Sequence, residues 1–323
     1  MRTAVISTPA SPVAVRRPSG NKPLTVASAR HSRALSVVVP PLAVADAAAA
    51  AVFAAARGRT PIARDTIARR TGLSIATVNR QVTALLDADL LRERADLAAS
   101  GAVGRPRVPV EVNHEPFLTL GIHIGASTTS ITATDLLGRT LDTVETPTPR
   151  AGQDAALATL AASARRYLAR WHRRRPLWVG VAAGGAVDGH TGVLDHPRLR
   201  WSQAPVGPEL ADALGLPVSV ASHVAAMAGA ELLLSGRPPA AAPGATSLYV
   251  YARETVGFAL SLDGRVHSPV GGPGTIAALP AHSEMLGGTG HLETTVSDEA
   301  VLAAARRAGL DAGGAPTSAA VVR

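Results

Sequence analysis

The side chains with the most specific chemistry in this sequence are polar residues within one short segment, at positions 74–83. Asn and Arg can form paired hydrogen bonds with the edges of DNA bases, whereas Ser and Thr hydroxyls can hold phosphate. Five such residues occur here at a spacing that suits the outer side of a helix: Ser74, Thr77, Asn79, Arg80 and Thr83. We therefore interpret them as candidate contacts to double-stranded DNA.

Two predicted helices would position these residues. Gly72 suits a helix end, and Ser74 suits the N-cap of the helix that follows. Apolar residues in that second helix recur every three or four positions, at Val78, Val82, Leu85 and Leu86. Two helices joined by a Gly-containing turn indicate a helix-turn-helix, whose second helix enters the major groove. An ordinary helical hairpin with a solvated polar face has the same spacing and stays open as an alternative.

The flanking segments extend this interpretation. Residues Leu90–Val112 predict a strand, a loop and a second strand, which is the pattern of a β-wing. The loop contains Arg105 and Arg107 around a Pro that keeps the chain extended, so both side chains can enter a narrow minor groove. Upstream, a helix is expected over about Leu42–Arg57, and Thr60-Pro61 has the residues of a helix start.

The charge distribution favours a polyanionic partner for the N-terminal part alone. The 323 residues include 32 Lys or Arg and 24 Asp or Glu. Residues 1–113 hold 16 basic and 7 acidic residues, whereas residues 114–323 hold 16 and 17. The whole positive excess therefore lies in the first part, as expected if that part meets nucleic acid and the other does not.

Two classes of protein are disfavoured by composition. The chain has no Cys, which excludes disulfides, thiolate zinc sites and cysteine nucleophiles. An apolar stretch from Leu35 to Ala56 is interrupted by Pro40, Pro41 and Asp46. Its longest clean piece is shorter than the roughly 18 residues that a spanning helix needs, so no membrane segment is expected.

From Phe117 onward the pattern predicts alternating strands and helices. The segment TLGIHIGASTTSITATDLLGRTLDT predicts three strands, with turns at a Gly and at Leu137-Gly138-Arg139. A long helix is expected from Asp154 to about Arg173, followed by a buried strand LWVGVAAGGAVD and a short strand over Pro217–Ala221. This order indicates an α/β domain.

Several segments, taken in order, resemble the ROK family of bacterial sugar-responsive repressors and sugar kinases. They include TGLSIATVNRQVTALLDADLL, GRPRVPVEVN, LGIHIGASTTSITATDLLGRTL, GVAAGGAVDGHTGVLDHPRLRW and GFALSLDGRVHSPVGGPGTIAALP, and the resemblance covers about residues 42–310. It implies an N-terminal winged helix-turn-helix and an actin-like, ribonuclease-H-like sugar-kinase fold, apparently truncated at the C-terminus. Kinase members generally lack the winged helix, so the resemblance favours a regulator.

The resemblance also implies that the kinase chemistry is lost. The family's first hairpin has Asp where this chain has His123, and the family's catalytic Asp corresponds to His223. A sugar-site Asn corresponds to Arg198, whereas Glu293 of a sugar-binding motif is retained. We expect no catalytic residue, and an effector cleft around Ser127, Arg198, His223 and Glu293. His123 and His223 could share that cleft and sense pH or bind an anion.

The family's zinc site, one His and three Cys, is not retained either. The corresponding residues are Ala278, Glu284, Leu286 and His291. Glu284 and His291, together with His282, have suitable ligand atoms, but Leu286 has none and the spacing fits no known zinc set well. We therefore expect no metal and no cofactor.

These observations predict four segments. Residues 1–40 are expected to form a disordered basic tail, 41–113 a winged helix-turn-helix DNA-binding domain, 117–311 a ROK-type α/β effector and dimerisation domain, and 312–323 a flexible tail.

The predicted function is that of a cytoplasmic, nucleoid-associated transcriptional regulator. We expect a repressor that binds double-stranded operator DNA as a homodimer or higher oligomer, without kinase activity. A sugar-like effector and a role in carbohydrate-related genes would fit the family. Two alternatives stay open: an ATP-dependent sugar kinase with an appended DNA-binding domain, and a regulator without a ligand.

Overall fold

The computed structural model describes residues 37–38, 47–58, 60–97, 108–234, 246–253, 255–267, 275–286 and 288–310. Three predicted features lie outside these residues. They are the basic tail apart from residues 37 and 38, the wing tip with Arg105 and Arg107, and the C-terminal tail over 312–323.

Three helices begin the described chain: α1 (Ala48–Ala56), α2 (Arg64–Thr71) and α3 (Ile75–Asp87). Gly72 ends α2 with a φ of 69°, a left-handed conformation that a residue without Cβ adopts at little cost. Ser74 caps α3, because its hydroxyl accepts a hydrogen bond from the Thr77 N–H. The predicted turn and cap are thus confirmed.

Two short antiparallel strands, β1 (Leu91–Glu93) and β2 (Val110–Val112), follow the helices as the two sides of the predicted wing. A short 3₁₀ helix, Ala95–Leu97, comes after β1. The predicted helix start at Thr60-Pro61 is wrong, since α2 begins only at Arg64. Ile62 instead forms an antiparallel bridge with Val110, which buries it to 7% exposure beneath the wing.

The winged helix has its own apolar core. Val52 of α1, Ile67 of α2, Val78 and Val82 of α3 and Val110 of β2 are completely buried in one cluster. Because Val78 and Val82 define the inner side of α3, the polar residues on its opposite side are left to solvent.

Residues 117–222 form the α/β part. Its elements in chain order are β3 (Phe117–Ile124), β4 (Thr128–Thr134), β5 (Thr140–Pro147), α4 (Gln153–Ala169), β6 (Arg175–Ala183), β7 (Ala186–Asp188), β8 (Val193–His196), β9 (Trp201–Ala204), α5 (Val206–Leu214) and β10 (Val218–Ser222). A 3₁₀ helix, Pro197–Leu199, lies between β8 and β9. The three predicted strands after Phe117 are confirmed, and α4 ends four residues before the predicted Arg173.

One five-stranded sheet organises this part, in the order β10-β6-β3-β4-β5. Strands β3, β6 and β10 run parallel, whereas β4 and β5 pair in antiparallel fashion. Alternate residues of β3, among them Leu120, Ile122 and Ile124, are buried in the same cluster as Leu157 and Leu160 of α4. The carboxyl ends of the three parallel strands therefore meet at one edge, where α/β proteins commonly bind ligands.

The remaining described elements follow β10 in the chain. They are α6 (His223–Leu234), β11 (Thr246–Ala252), β12 (Val256–Leu262), β13 (Arg265–His267), β14 (Pro280–Ser283), β15 (Gly288–His291), α7 (Leu292–Val296) and α8 (Asp298–Arg307). Strands β11, β12 and β13 form a sheet that packs on α6 through residues such as Val224, Ala228 and Ala259. No helix within the described residues is long and apolar enough to cross a membrane.

Residues 37 and 38 belong to the predicted tail, but they pair with the edge of the main sheet. Val37 forms a parallel bridge with Val218, and the Val38 N–H donates to the Val218 carbonyl at 2.8 Å. The Ser219 hydroxyl in turn donates to the Val38 carbonyl. The prediction of a disordered tail up to residue 40 does not hold for these two residues, because β10 offers them an open edge.

Residues 113–117 connect the winged helix to β3, and they are tightly bonded. The His114 Nδ1 lies 3.0 Å from the Asp135 carboxylate. The Arg174 guanidinium donates to the carbonyls of His114 and Phe117 at 3.2 and 3.1 Å. The connection is therefore held by the α/β part along most of its length.

The β4–β5 turn also contributes to the contact between the winged helix and the α/β part. The Asp135 carboxylate accepts hydrogen bonds from the N–H groups of Leu137 and Arg139, both at 2.9 Å. The turn so formed packs Leu136 and Leu137 against the apolar core of the winged helix.

Tyr167 supports the edge of the main sheet, where the β4–β5 register shifts beside Ala133. Its hydroxyl donates to the Asp142 carbonyl at 2.9 Å and accepts from the Ala133 N–H at 3.3 Å. Tyr167→Phe leaves both backbone groups without this partner, so the free energy of unfolding should fall by about 1–3 kcal/mol. Urea titration followed by circular dichroism measures this loss.

Tyr249→Phe is the matched control, because the structure gives the Tyr249 hydroxyl no hydrogen bond within the described residues. It should cost little. Equal losses in the two variants would show that the Tyr167 hydroxyl has no bridging role.

Candidate functional site

The polar residues of α3 lie on the side of the helix that faces away from the core. Asn79, Arg80 and Thr83 are exposed, whereas Thr77 is half-buried. The hydroxyls of Ser74 and Thr77 lie 2.9 Å apart, in addition to the capping bond. Ser74 and Thr77 therefore order the first turn of α3, and the three exposed residues remain available to a ligand.

The first turn of α3 also carries an exposed apolar residue that the sequence pattern did not single out. Ile75 is 50% exposed, although large apolar side chains usually join a core. An apolar side chain at this place can contact a thymine methyl group in the major groove. The spacing gave no signal of this exposure, because Ile75 precedes Val78 and Val82 by three and seven residues, which predicts the buried side of α3.

Ion pairs occupy the basic residues at the base of the wing. Arg92 and Arg94 contact Glu111 at 2.7 and 3.0 Å. Such partly exposed pairs contribute little stability, but they engage the guanidinium groups. Phosphate contacts from the wing would thus have to come from its other residues, of which Arg105 and Arg107 lie outside the described part of the chain.

Arg198 and Glu293 line one cleft, of 280 Å³. Among the described residues, its lining is Arg198, Glu293, Thr294, Ser297, Glu299 and Ala300. This set offers one cation, two carboxylates and two hydroxyls. It can therefore form many hydrogen bonds with a small polar molecule and has little surface for an apolar one.

Glu293 also has a structural contact. Its Oε2 accepts a hydrogen bond from the Val256 N–H at 3.2 Å, at the start of β12. The side chain thus joins α7 to β12 as well as facing the cleft, and its second oxygen has no such bond among the described residues.

Ser127 and His223, the other two predicted effector contacts, are not in the lining of this cleft. Ser127 is exposed in the turn between β3 and β4, where its carbonyl accepts from the Thr148 N–H. His223 begins α6, directly after β10. The predicted set of four is therefore divided: Arg198 of the 3₁₀ helix and Glu293 of α7 line one cleft, and Ser127 and His223 lie elsewhere.

His223 lies in a group of aromatic rings at the carboxyl ends of the parallel strands. The centroid of its ring is 6.0 Å from that of His123 and 4.7 Å from that of Tyr251. His196 approaches the same place, since a Cβ on Gly184 would lie 3.3 Å from the His196 Nε2 and 3.6 Å from the His223 Cε1. His123 and His223 are therefore neighbours, as expected. We call His123, His196 and His223 the histidine cluster.

The environment keeps His223 neutral at pH 7. Burial, followed by the smaller effect of repulsion from His123 and His196, lowers the pKa of His223 to about 4. An imidazole with so low a pKa is a weak base at neutral pH and carries no charge to hold an anion.

The residues around the position of the family's zinc site form hydrogen bonds with neighbours in and beside their own hairpin. The His282 Nδ1 lies 2.8 Å from the Thr289 hydroxyl, across the β14–β15 pair, and the His291 Nδ1 lies 3.1 Å from the Ala278 carbonyl. Within the described ranges, no three His, Asp or Glu side chains are arranged so that they could hold a metal ion.

This architecture is shared with proteins of a known family. A model of the ROK family matches residues 119–319. The chain belongs to the ROK family. A model of the DprA winged helix domain matches residues 39–86, so the N-terminal part is similar to that domain as well.

Two curated relatives of this ROK protein are named transcriptional regulators. They come from Mycobacterium bovis and Mycobacterium tuberculosis, and each is 74% identical to it over 271 residues. The match covers 84% of this chain and 62% of each relative. The chain thus spans less than two thirds of the length of these relatives.

A crystal structure of a ROK family transcriptional regulator, described as a homologue of the E. coli MLC protein, has a similar fold. It superposes with a TM-score of 0.65, covers 85% of this chain and 70% of its own, and is 24% identical in sequence. The predicted fold class is thereby confirmed: a winged helix followed by a ROK-type, actin-like α/β fold.

The stability of this ROK chain should depend on pH through His223. The pKa of His223 is about 4 in the folded chain and near 6.5 when unperturbed, so the unfolded state takes up the proton first as pH falls. The free energy of unfolding should therefore decrease between pH 6.5 and 4. His223→Gln should make this decrease shallower, as measured by urea midpoints at several pH values.

The control is His190→Gln, a change at an exposed His outside the histidine cluster. His123, His196 and Tyr251 still face the site in the His223 variant, so part of the pH dependence can remain. Identical profiles for wild type and His223→Gln would contradict the assignment.

Proposed function

We propose that this chain is a DNA-binding transcriptional regulator of the ROK family that acts as a repressor. The observation that carries the proposal is the exposed polar side of α3, with Asn79, Arg80 and Thr83, on a helix anchored by buried valines in a winged helix. The winged helix would bind operator DNA, and the ROK-type part would supply dimerisation and an effector cleft. The names of the 74% identical relatives support a role in transcriptional regulation.

Each residue has a role in this proposal. Asn79 and Arg80 read base edges in the major groove, because both can bond bidentately. Thr83 holds a phosphate near the groove and Ile75 contacts a thymine methyl, while Ser74 and Thr77 order the first turn of α3. Arg105 and Arg107 enter the minor groove from the wing.

The proposal includes the absence of kinase activity. The two positions at which the ROK pattern has Asp hold His123 and His223, whose rings are 6.0 Å apart. Both carboxylates are thus replaced in one place, which favours loss of the whole phosphoryl-transfer site rather than a local change. The low pKa of His223 disfavours it as a substitute base.

The effector we propose is a small sugar-like molecule in the cleft of Arg198 and Glu293. Its carboxylates and hydroxyls suit the many hydroxyl groups of a sugar, and the target genes would be carbohydrate-related. A homodimer would match two operator half-sites about one helical turn or a multiple of it apart. A protein with this function acts in the cytoplasm, at the nucleoid.

A mobility-shift titration over a salt series tests DNA binding, with the gene's own upstream region and an unrelated duplex of equal length. Wild type should bind the upstream fragment more tightly, with log K falling linearly as log salt rises. Asn79→Ala or Arg80→Ala removes a base contact, so the preference for the upstream fragment should fall about 5- to 150-fold.

Arg200→Ala serves as the control, since Arg200 is exposed and lies outside the winged helix. It should leave the preference intact. If wild type shifts neither fragment, DNA binding is refuted, and ATP-dependent phosphorylation of any hexose or N-acetylhexosamine would refute the non-enzymatic part.

A thermal-shift screen with hexoses and N-acetylhexosamines tests the effector. A sugar that binds the folded chain must raise the Tm, by an amount equivalent to about 2.7 kcal/mol at 100 times its Kd. Arg198→Gln should abolish the rise, whereas Arg200→Gln, two residues away and outside the cleft lining, should keep it. No rise with any sugar would favour a regulator without a ligand.

A further inference from the structure

A dense group of basic residues lies outside the winged helix. Residues 165–175 contain six Arg, one His and no acidic residue: Arg165, Arg166, Arg170, His172, Arg173, Arg174 and Arg175. The rest of residues 114–323 holds ten Arg and 17 Asp or Glu. This group, which we call the basic cluster, is therefore a positive patch on a negative background.

The basic cluster covers the C-terminal half of α4 and the turn into β6. Cations near a helix C-terminus are favoured by the helix dipole, which accounts for Arg166 in the last turn. The dipole does not account for Arg173 or Arg175, because α4 ends at Ala169 and both residues lie beyond it. All members except Arg174 are exposed.

Two Arg of the basic cluster have carboxylate or carbonyl partners, and a third, Arg166, donates to the Ser163 hydroxyl at 3.0 Å. Arg170 pairs with Asp142 at 3.2 Å and lies over the Tyr167 ring, and Arg174 donates to the carbonyls of the connection. Within the described residues, the other four Arg form no ion pair. Like charges this close repel one another, so an anion bound from outside would be attracted by several of them at once.

The basic cluster lies beside the connection to the winged helix. The Arg175 N–H donates to the Pro116 carbonyl at 2.7 Å, next to the carbonyls that Arg174 holds. One residue earlier, Glu115 contacts Arg92 of the wing strand β1 at 3.5 Å. The positive patch and the wing thus adjoin the same five-residue segment.

We propose that the basic cluster is a second DNA-contacting surface, which holds backbone phosphates of the duplex that flanks the site bound by α3. This proposal rests on the proposed function. Duplex DNA carries one charge per roughly 1.7 Å of its axis and is stiff over about 50 nm, so a duplex on the wing continues past neighbouring surfaces. Arg side chains suit phosphate, and a contact to phosphate carries no base readout, so this contact is independent of sequence.

The test compares two variants with the same loss of charge. The cluster variant is Arg165→Gln/Arg166→Gln/Arg173→Gln, and the matched control is Arg200→Gln/Arg265→Gln/Arg307→Gln, three exposed residues elsewhere in the ROK-type part. Both are titrated with two duplexes from the upstream fragment that share the centre protected by wild type. One is about 16 bp, little more than one half-site, and the other about 40 bp.

On the longer duplex, the cluster variant should reduce the slope of log K against log salt by about two to three, because each phosphate contact contributes about 0.9. Its affinity should fall about 10- to 100-fold at low salt. On the shorter duplex, the cluster variant and wild type should bind equally, and the control should match wild type on both.

The outcomes separate this proposal from the proposed function. If wild type binds neither duplex, DNA binding itself fails. If wild type binds but the cluster and control variants behave alike on the longer duplex, the second surface is refuted, and an acidic protein surface becomes the better partner. Should the triple variant fail to fold, Arg173→Gln alone, beyond the end of α4, must lower the slope by about one.

Discussion

The buried carboxylate of Asp135 determines how the two parts of the molecule fit together. It is 4% exposed, accepts two backbone hydrogen bonds at 2.9 Å and lies 3.0 Å from the His114 ring. A carboxylate this deeply buried is costly unless such partners surround it. The same bonds shape the β4–β5 turn, whose Leu136 and Leu137 extend the core of the winged helix. One side chain thus orders the turn, the connection and the contact between them.

This contact between the winged helix and the α/β part determines the geometry of the proposed DNA interface. Residues 113–117 are bonded to the α/β part by Arg174 and to the wing by Arg92, so the connection does not behave as a free linker. The recognition helix α3 and the basic cluster are then presented at a defined relative position. A stiff duplex that is held by one of them has a restricted path past the other. Loss of charge in the basic cluster should therefore weaken DNA binding.

Structural features that depend on residues close in the sequence were predictable, whereas features that depend on residues distant in the sequence were not. Gly72 and Ser74 specify the turn and cap of α3 through their own backbone and side chain, so both were predictable. The start of α2 was misplaced, because Ile62 pairs with Val110, 48 residues away, and this pairing overrides the local preference of Thr60-Pro61. Likewise, Arg198 and Glu293 line one cleft because segments distant in the sequence pack together, and no spacing in the sequence showed that Ser127 and His223 lie elsewhere.

The proposed loss of kinase activity gives a physical reason why histidines occupy the two positions at which the ROK pattern has Asp. Two carboxylates in place of His123 and His223 would lie close together in a half-buried site, where like charges raise each other's pKa and need a cation to balance them. A nucleotide with its metal ion supplies that cation in a kinase. In the absence of that ligand, a neutral imidazole at position 223 needs no such cation, and the low pKa of His223 indicates this neutral state. Under the proposed loss of kinase activity, replacing both acids thus removes the need for that cation.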